Sequence, residues 1–160
     1  MKFIMRERLW SMGGRYDIRE ESGEDAYYVK GKVFSIGDKL SFCDLDEREL
    51  AYIEQKIFNW GPTYEIHSGG QRLAVVKKKL FTIFKCRFDV DVPGPNDLEA
   101  EGDFLHHEYA FTRNGRTVAS VSKRWFSWTD TYGIDIGEEE DPVLLLASAV
   151  VIDLACHRKH

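Results

Sequence analysis

The residues of this chain whose types and spacing suggest a chemistry are cations placed beside aromatic rings. The most basic stretch, residues 77–85, combines lysines with phenylalanines. Two more cations, Lys56 and Arg124, stand at equivalent positions of an internal repeat, each two residues before a phenylalanine. Cations beside rings suit an anionic lipid surface, where each cation contributes about 1 kcal/mol and the rings lie at the interface. The predicted ligand-binding residues are Lys77, Lys78, Lys79, Lys85, Arg87, Lys56 and Arg124.

A second interpretation of these residues needs no ligand. Phe58 and Trp60 in one copy of the repeat, and Phe126 and Trp128 in the other, fall on even-numbered positions that recur as one face of a sheet. Such rings would fill the interior of the protein. The lysines would then keep the outer wall soluble and protect the strands from edge pairing.

The histidines and cysteines do not form a complete metal site. His106 and His107 are adjacent, and adjacent residues of a strand point to opposite faces. Cys156, His157 and His160 lie close together near the C-terminal end, but zinc needs about four ligands and the sequence has no second cluster. We therefore predict no metal site here.

The acidic residues between positions 44 and 49 resemble a calcium loop that lacks the glycine of its sharp turn, so a solvated hairpin turn is the better interpretation. The motifs of common hydrolases, metalloproteases and nucleotide-binding proteins do not occur. A nucleophile, a base and an orienting group cannot be assembled from the sequence. We predict that the protein is not an enzyme, with no catalytic residues and no cofactor.

Composition narrows the class further. The 160 residues carry a net charge of −5, which argues against nucleic-acid binding, since such domains are usually basic. The three cysteines are far apart, as expected of reduced thiols in a cytosolic protein. The first residues carry charges through their apolar positions, so no signal peptide is expected. We predict one domain over residues 1–160, located in the cytoplasm or peripherally at a membrane.

The most apolar segment must organise the fold. Val143–Cys156 contains only two polar residues, Ser148 and Asp153. Pro142 suits a first helical turn, and the apolar residues cover every face of the helix, which indicates a buried helix. A membrane span needs about 20 such residues, so we predict an enclosed helix over 142–157 and no transmembrane segment. A buried carboxylate is costly unless paired, so Asp153 should meet an Arg, Lys or Tyr from a surrounding wall, or reach its mouth.

The rest of the chain has the pattern of short strands and turns. About a dozen strands are expected, with Asn114-Gly115 as the strongest hairpin signal, and this favours an antiparallel barrel or sandwich. Residues 51–66 align without gaps on residues 119–134. The apolar positions change parity within each copy, which predicts a bulge or bend in each copy. Strands that bend repeatedly curl a sheet closed, and the helix is the segment apolar enough to fill it.

Several segments together resemble a known family. They are VKGKVFSIGDKLSF at 29–42, AYIEQK at 51–56, PTYEI at 62–66 and HEYAFTRNGRTVASVSKRWFSWTDTYGIDI at 107–136, followed by the apolar helix. The match is similar to the LURP-one-related family and covers nearly the whole chain. The resemblance implies the Tubby C-terminal-like fold, a closed β-barrel of about twelve strands around a hydrophobic C-terminal α-helix, which Tubby proteins and phospholipid scramblases share.

The resemblance brings no catalytic motif, and the phosphoinositide-binding residues of Tubby proteins have no matching positions here. The expected function is a non-enzymatic binding module for an anionic phospholipid or another amphiphile at the basic and aromatic surface. The alternative is a structural or protein-interaction domain with no small-molecule ligand.

Overall fold

The computed structural model describes residues 1–8, 15–32, 36–57, 61–80, 85–124 and 131–157, without the side chain of His157. Twelve strands precede one helix. In chain order they are β1 (Lys2–Arg8), β2 (Arg15–Glu20), β3 (Asp25–Gly31), β4 (Lys39–Asp44), β5 (Glu49–Gln55), β6 (Thr63–Ser68), β7 (Gln71–Leu80), β8 (Cys86–Asp91), β9 (Leu98–Asp103), β10 (Glu108–Arg113), β11 (Arg116–Ser122), β12 (Thr131–Ile136) and α1 (Pro142–His157).

The strands form one closed antiparallel barrel. Each strand pairs with its neighbours along the chain, and β1 closes the barrel by pairing with β12. Side chains alternate between the two faces of each strand, so in β7 the small residues Ala74 and Val76 point inward and are buried while Val75 and Lys77 point outward. The prediction of a mainly β protein with a closed barrel of about twelve strands is confirmed.

The helix α1 fills the barrel. Its residues from Leu144 to Leu154 are all buried, and the apolar ones among them form one core with inward side chains of all twelve strands. Asp141 begins the helix by accepting hydrogen bonds from the backbone N–H groups of Val143, at 3.0 Å, and Leu144, at 3.4 Å. Buried Ser148 donates to the Leu144 carbonyl at 2.7 Å. Within the described part of the chain, no helix is long and apolar enough to cross a bilayer.

The internal repeat has a different structural meaning from the predicted one. Each copy covers two strands, β5 with β6 and β11 with β12, which lie six strands apart on the barrel. Ala51 and Ile53 point inward from β5, while Tyr64 and Ile66 point inward from β6. The parity of the inward positions therefore changes across the connection between two strands. The prediction that a bulge within each copy causes this change is wrong. Register shifts do occur in four other places, for example between Ile66 and His67.

Candidate functional site

The two ends of the barrel differ. The helix begins beside the end of β12, and its later residue Asp153 contacts Tyr132 at the start of β12, so α1 runs antiparallel to that strand. We call the end where α1 begins the entry end and the end where it finishes the exit end. Odd-numbered strands finish at the exit end, and even-numbered strands start there.

Exposed apolar side chains concentrate at the exit end. Among the described residues, five large hydrophobic side chains are exposed, and Leu45, in the β4–β5 turn, is the one at the entry end. The other four are Ile36, Ile57, Leu80 and Leu105. All four lie in or beside the connections at that end, so among the described residues the exit end is the more apolar of the two ends.

Three of the seven predicted cations lie at the exit end and have no ion pair with a described residue. Lys79 and Lys85 are exposed, and Lys78 is half-buried on the inward face of β7. None of the three makes an ion pair with another described residue. The structure therefore places Lys78 and Lys79 at the end of β7 and Lys85 just before β8, whose first residue, Cys86, pairs with exposed Leu80.

The other four predicted cations each have an acidic neighbour. Lys77 Nζ lies 3.2 Å from Asp91 and Lys56 Nζ lies 3.8 Å from Glu65. The Arg87 Nε donates to Asp89 at 2.8 Å, and this hydrogen bond raises the pKa of the guanidinium. Arg124 Nε lies 3.5 Å from Glu108. These pairs reduce the positive charge of the outer wall, which sequence alone did not indicate. The aromatic residues 58, 60, 81, 84, 126 and 128 lie outside the described residues.

A buried polar network lies inside the exit end. Asp153, 2% exposed, accepts a hydrogen bond on Oδ2 from the Tyr132 hydroxyl at 2.6 Å. Its Oδ1 lies 2.9 Å from Nε2 of His107, whose ring stacks on Tyr132 with centroids 4.4 Å apart. Burial, and then the charge of Asp153, raise the pKa of Tyr132 well above its usual value, so its hydroxyl keeps its proton. The prediction that a barrel tyrosine pairs with Asp153 is confirmed; the histidine was not predicted.

The turn between β9 and β10 places His107. Residues 104–107 form this turn, so His106 and His107 are not neighbours in a strand, and the argument that used strand alternation is wrong. Phe104 folds inward and packs on Phe88 and Tyr109, each with ring centroids 4.9 Å apart. Gly102 permits the close approach of β9 to β10 beside this turn. Any other residue at position 102 would carry a Cβ that lies only 2.6 Å from the Tyr109 backbone. His106 remains outside, 2.7 Å from Asp103.

The remaining candidate ligands have structural roles. Asp44 accepts the backbone N–H groups of Asp46 and Arg48, both at 2.9 Å, and holds the β4–β5 turn. Those hydrogen bonds help to hold the pKa of Asp44 below its usual value. Within the described residues no group of three or more histidine, cysteine or acidic side chains is placed to hold a metal ion. His160 lies outside the described residues.

A groove of about 460 Å³ lies on the outer wall over β9, β10 and β11. The outward side chains Ala110 and Ser120 are small, which leaves the space. Glu108 forms one side and accepts hydrogen bonds from the Ser122 hydroxyl at 2.9 Å and the Lys123 backbone N–H at 3.0 Å. Burial alone would raise the pKa of Glu108, but these bonds and Arg124 lower it below its usual value.

The sequence of this chain matches a family model described as LURP-one-related over residues 1–153. The chain belongs to the LURP-one-related family. A relative from Bacillus subtilis strain 168, printed as uncharacterized protein YxjI, is 33% identical over 157 residues, which are 98% of this chain and 94% of the relative. An X-ray structure of an Arabidopsis thaliana protein superposes with a TM-score of 0.66 at 18% identity, covering 94% of this chain and 88% of that one.

At that identity the Arabidopsis structure supports the fold alone. Membership of the LURP-one-related family and the barrel with its central helix together support a binding module, and neither names a ligand. Sequence reasoning missed the pairing of His107 with Asp153. The signal available for it was the buried position of Asp153, which required polar partners on the wall.

Proposed function

We propose that this chain is a non-enzymatic binding module whose exit end takes up an anionic phospholipid surface or another anionic amphiphile. The observation that carries the proposal is the overlap of two features at that end: exposed apolar side chains and lysines without an ion pair among the described residues. The apolar side chains are Ile36, Ile57, Leu80 and Leu105, and the lysines are Lys78, Lys79 and Lys85.

This combination fits the boundary of a bilayer. Apolar side chains enter the acyl boundary, while cations meet the anionic head groups. The proposed location is peripheral, at the cytoplasmic side of a membrane.

The test of the cations is sedimentation with vesicles of phosphatidylcholine that contain graded amounts of phosphatidylserine. We expect binding at low salt that weakens at physiological ionic strength, where the Debye length is about 8 Å. Replacing Lys79 and Lys85 by Gln should weaken binding by about 2 kcal/mol, or roughly 30-fold. The matched control replaces Arg72 and Arg116 by Gln, because both are exposed at the entry end.

The test of the apolar side chains compares Leu80→Ser with Leu45→Ser. Both residues are exposed, so neither change should alter thermal stability much. Only Leu80 lies at the exit end, and its loss should weaken vesicle binding by about 2 kcal/mol if the side chain enters the acyl region. Wild-type protein that stays in the supernatant at low salt would contradict the proposal, and so would equal losses from the variants at the two ends.

A second candidate is a protein-interaction domain, favoured by the groove over β9–β11. A peptide lying there would contact Glu108 and Arg124 as well as the small side chains between them. If vesicles are ignored, replacing Ala110 or Ser120 by Trp would fill this groove. Partner capture that is lost in these variants and retained in the Lys79 and Lys85 variant would support this second candidate.

A further inference from the structure

The groove over β9, β10 and β11 has a floor of two small side chains. Ala110 in β10 pairs in register with Ser120 in β11, and both side chains point outward and are half-buried. A methyl group beside a hydroxymethyl group leaves a space of about 460 Å³ above the backbone. This volume falls within the range of ligand pockets, about 300–1,000 Å³. The groove is therefore large enough to hold a side chain of another molecule.

Carboxylates stand on two sides of this floor. Glu101 in β9 pairs in register with Ala110, and Glu108 precedes Ala110 by two residues on the same outward face of β10. The two glutamates are therefore diagonal neighbours on adjacent strands, about 7–8 Å apart, which is within reach of long side chains. Glu101 is exposed and makes no ion pair with another described residue. A cationic group lying on the floor can reach both carboxylates.

The wall around the groove holds carboxylates directly opposite one another. Asp103 in β9 pairs with Glu108 in β10, and Glu99 in β9 pairs with Asp89 in β8. Like charges in directly opposed positions destabilise a sheet. Cations of the chain relieve part of this repulsion, as Arg124 does from 3.5 Å at Glu108. A cation from another molecule would relieve more of it, so the charge of this wall favours a cationic ligand.

Arg124 indicates which cationic group suits the groove. Its Nε lies 3.5 Å from a Glu108 oxygen, although 82% of the side chain remains exposed. A guanidinium presents a planar fork of N–H donors that matches a carboxylate at two points, whereas an ammonium acts as a single point charge. The hydroxyl of Ser120 can accept a further N–H group, and the methylene stem of an arginine can lie on Ala110.

The closed barrel restricts how a partner can lie on this wall. Every strand already has two neighbours, so a partner cannot extend the sheet by adding a strand. Recognition must come from side chains that enter the groove. The three strands β9–β11 span about 10 Å, because neighbouring strands lie about 4.7–4.9 Å apart. About three residues of an extended peptide cover that distance.

We propose that this groove takes an arginine side chain from an extended segment of a partner protein. The guanidinium binds between Glu101 and Glu108, and the Ser120 hydroxyl accepts one of its N–H groups. This inference rests on the second candidate function given above, because it names the chemistry of the partner that the groove would hold. It does not require that the exit end bind lipid.

The experiment titrates isotope-labelled protein with a capped octapeptide in which arginine alternates with serine, and follows the backbone amide signals by NMR. We expect shifts grouped at the groove, around Ala110 and Ser120, and a dissociation constant below about 1 mM that rises with salt. The same peptide with citrulline in place of arginine keeps the shape and loses the charge, so it should not bind. Equal binding of the citrulline peptide would overturn the inference.

Two variants with matched controls test the position of the site. Glu101→Gln should weaken binding roughly fivefold, the upper end for an exposed ion pair. Glu99→Gln makes the same charge change two residues earlier on the same face of β9, outside the groove, and should weaken binding less than about twofold. Ala110→Trp fills the groove and should weaken binding at least roughly tenfold. Thr112→Trp, on the same face of β10 but outside the groove, should bind like wild type.

Thermal unfolding of the four variants verifies that each one folds. Equal losses of affinity in Glu101→Gln and Glu99→Gln would show attraction to the general negative charge of the wall and would overturn the inference. Wild-type affinity in Ala110→Trp would overturn it as well, since the groove would then be empty in the complex. Agmatine, a small guanidinium compound, should bind much more weakly than the peptide, and equal affinity would overturn the peptide partner.

Vesicle sedimentation is a separate measurement and separates this inference from the proposed membrane function. Wild type that binds anionic vesicles but ignores the peptide would overturn the inference and leave the membrane function standing. Peptide binding that depends on Glu101 and Ala110, in a protein that ignores vesicles, would support the inference and the second candidate function. Wild type that binds neither would overturn both.

Discussion

Two tyrosines occupy equivalent positions on opposite sides of the barrel, and each hydrogen-bonds a buried carboxylate. Tyr64 is the second residue of β6, after Thr63, and Tyr132 is the second residue of β12, after Thr131. The two tyrosines occupy the same position in the two copies of the internal repeat. The Tyr64 hydroxyl donates to Asp38 at 2.8 Å, and the Tyr132 hydroxyl donates to Asp153 at 2.6 Å.

The carboxylates come from different elements. Asp38 lies on the wall just before β4, so its pair ties one part of the barrel to another. Asp153 lies on α1, so its pair ties the wall to the helix, and His107 from the β9–β10 turn adds a second donor. Equivalent positions of the two repeat copies therefore have different roles in this protein.

The largest expected effect on folding comes from removing the helix α1. Ending the chain after Pro142 leaves the Tyr64–Asp38 pair within the wall but removes the core of the barrel. Seven of the removed side chains are buried Leu, Val or Ile residues, and at roughly 1.5–3 kcal/mol each they match or exceed the whole stability of a typical domain. We expect insoluble or molten protein without a near-ultraviolet circular dichroism signal. Soluble truncated protein that unfolds cooperatively would show that the wall pair and the barrel suffice.

The next test removes each carboxylate. Asp153→Ala should lower the free energy of unfolding by about 3–5 kcal/mol, because it leaves the Tyr132 hydroxyl and His107 without their buried acceptor. Asp38→Ala should cost less, about 1–2 kcal/mol, since Asp38 is 7% exposed and nearer to water. Urea denaturation measures both. Equal losses of unfolding free energy in the two variants would contradict the prediction that the carboxylate on the helix contributes more than the carboxylate on the wall.

Removing only the hydroxyl of each tyrosine should cost less unfolding free energy than removing the carboxylate on the helix. Tyr132→Phe should cost about 2 kcal/mol, as expected for a buried hydrogen bond to a charged acceptor. Tyr64→Phe should cost less for the reason given for Asp38. A double-mutant cycle of Tyr132→Phe with Asp153→Asn measures the coupling directly. Additive losses in that cycle would mean that the 2.6 Å contact contributes little free energy.

The smallest test uses alkaline pH. The folded pKa of Tyr132 is raised by burial and by Asp153, whereas the unfolded tyrosine titrates near about 10. The folded state therefore holds more protons above that pH, and stability is full below about pH 10 and falls as the pH rises beyond it. Tyr132 contributes about 1.4 kcal/mol per pH unit to this slope. Urea denaturation of Tyr132→Phe across this range should show a shallower fall than wild type, and an unchanged slope would contradict the assignment.

The helix and the barrel could be derived from the sequence because their signals are local. Fourteen residues with two polar positions can only be buried, and Pro142 marks the start of α1 where the structure has it. Short strands separated by turn signals such as Asn114-Gly115 predicted the antiparallel barrel, and that pair does connect β10 to β11. The need for a polar partner at Asp153 also followed from the sequence, because burying a carboxylate without one is costly whatever the fold.

The tertiary structure alone decided which residues meet. His107 is 46 positions from Asp153, and its φ of 53° in a turn could not be inferred from strand alternation. The ion pair of Lys77 with Asp91 depends on the register of β7 against β8, and a shift of one residue in register moves every side chain to the other face. The two-strand meaning of the repeat likewise appeared only when β5–β6 and β11–β12 were seen on opposite sides of a closed barrel. Composition and periodicity determine which residues must be buried, whereas barrel closure and strand register determine which residues they contact.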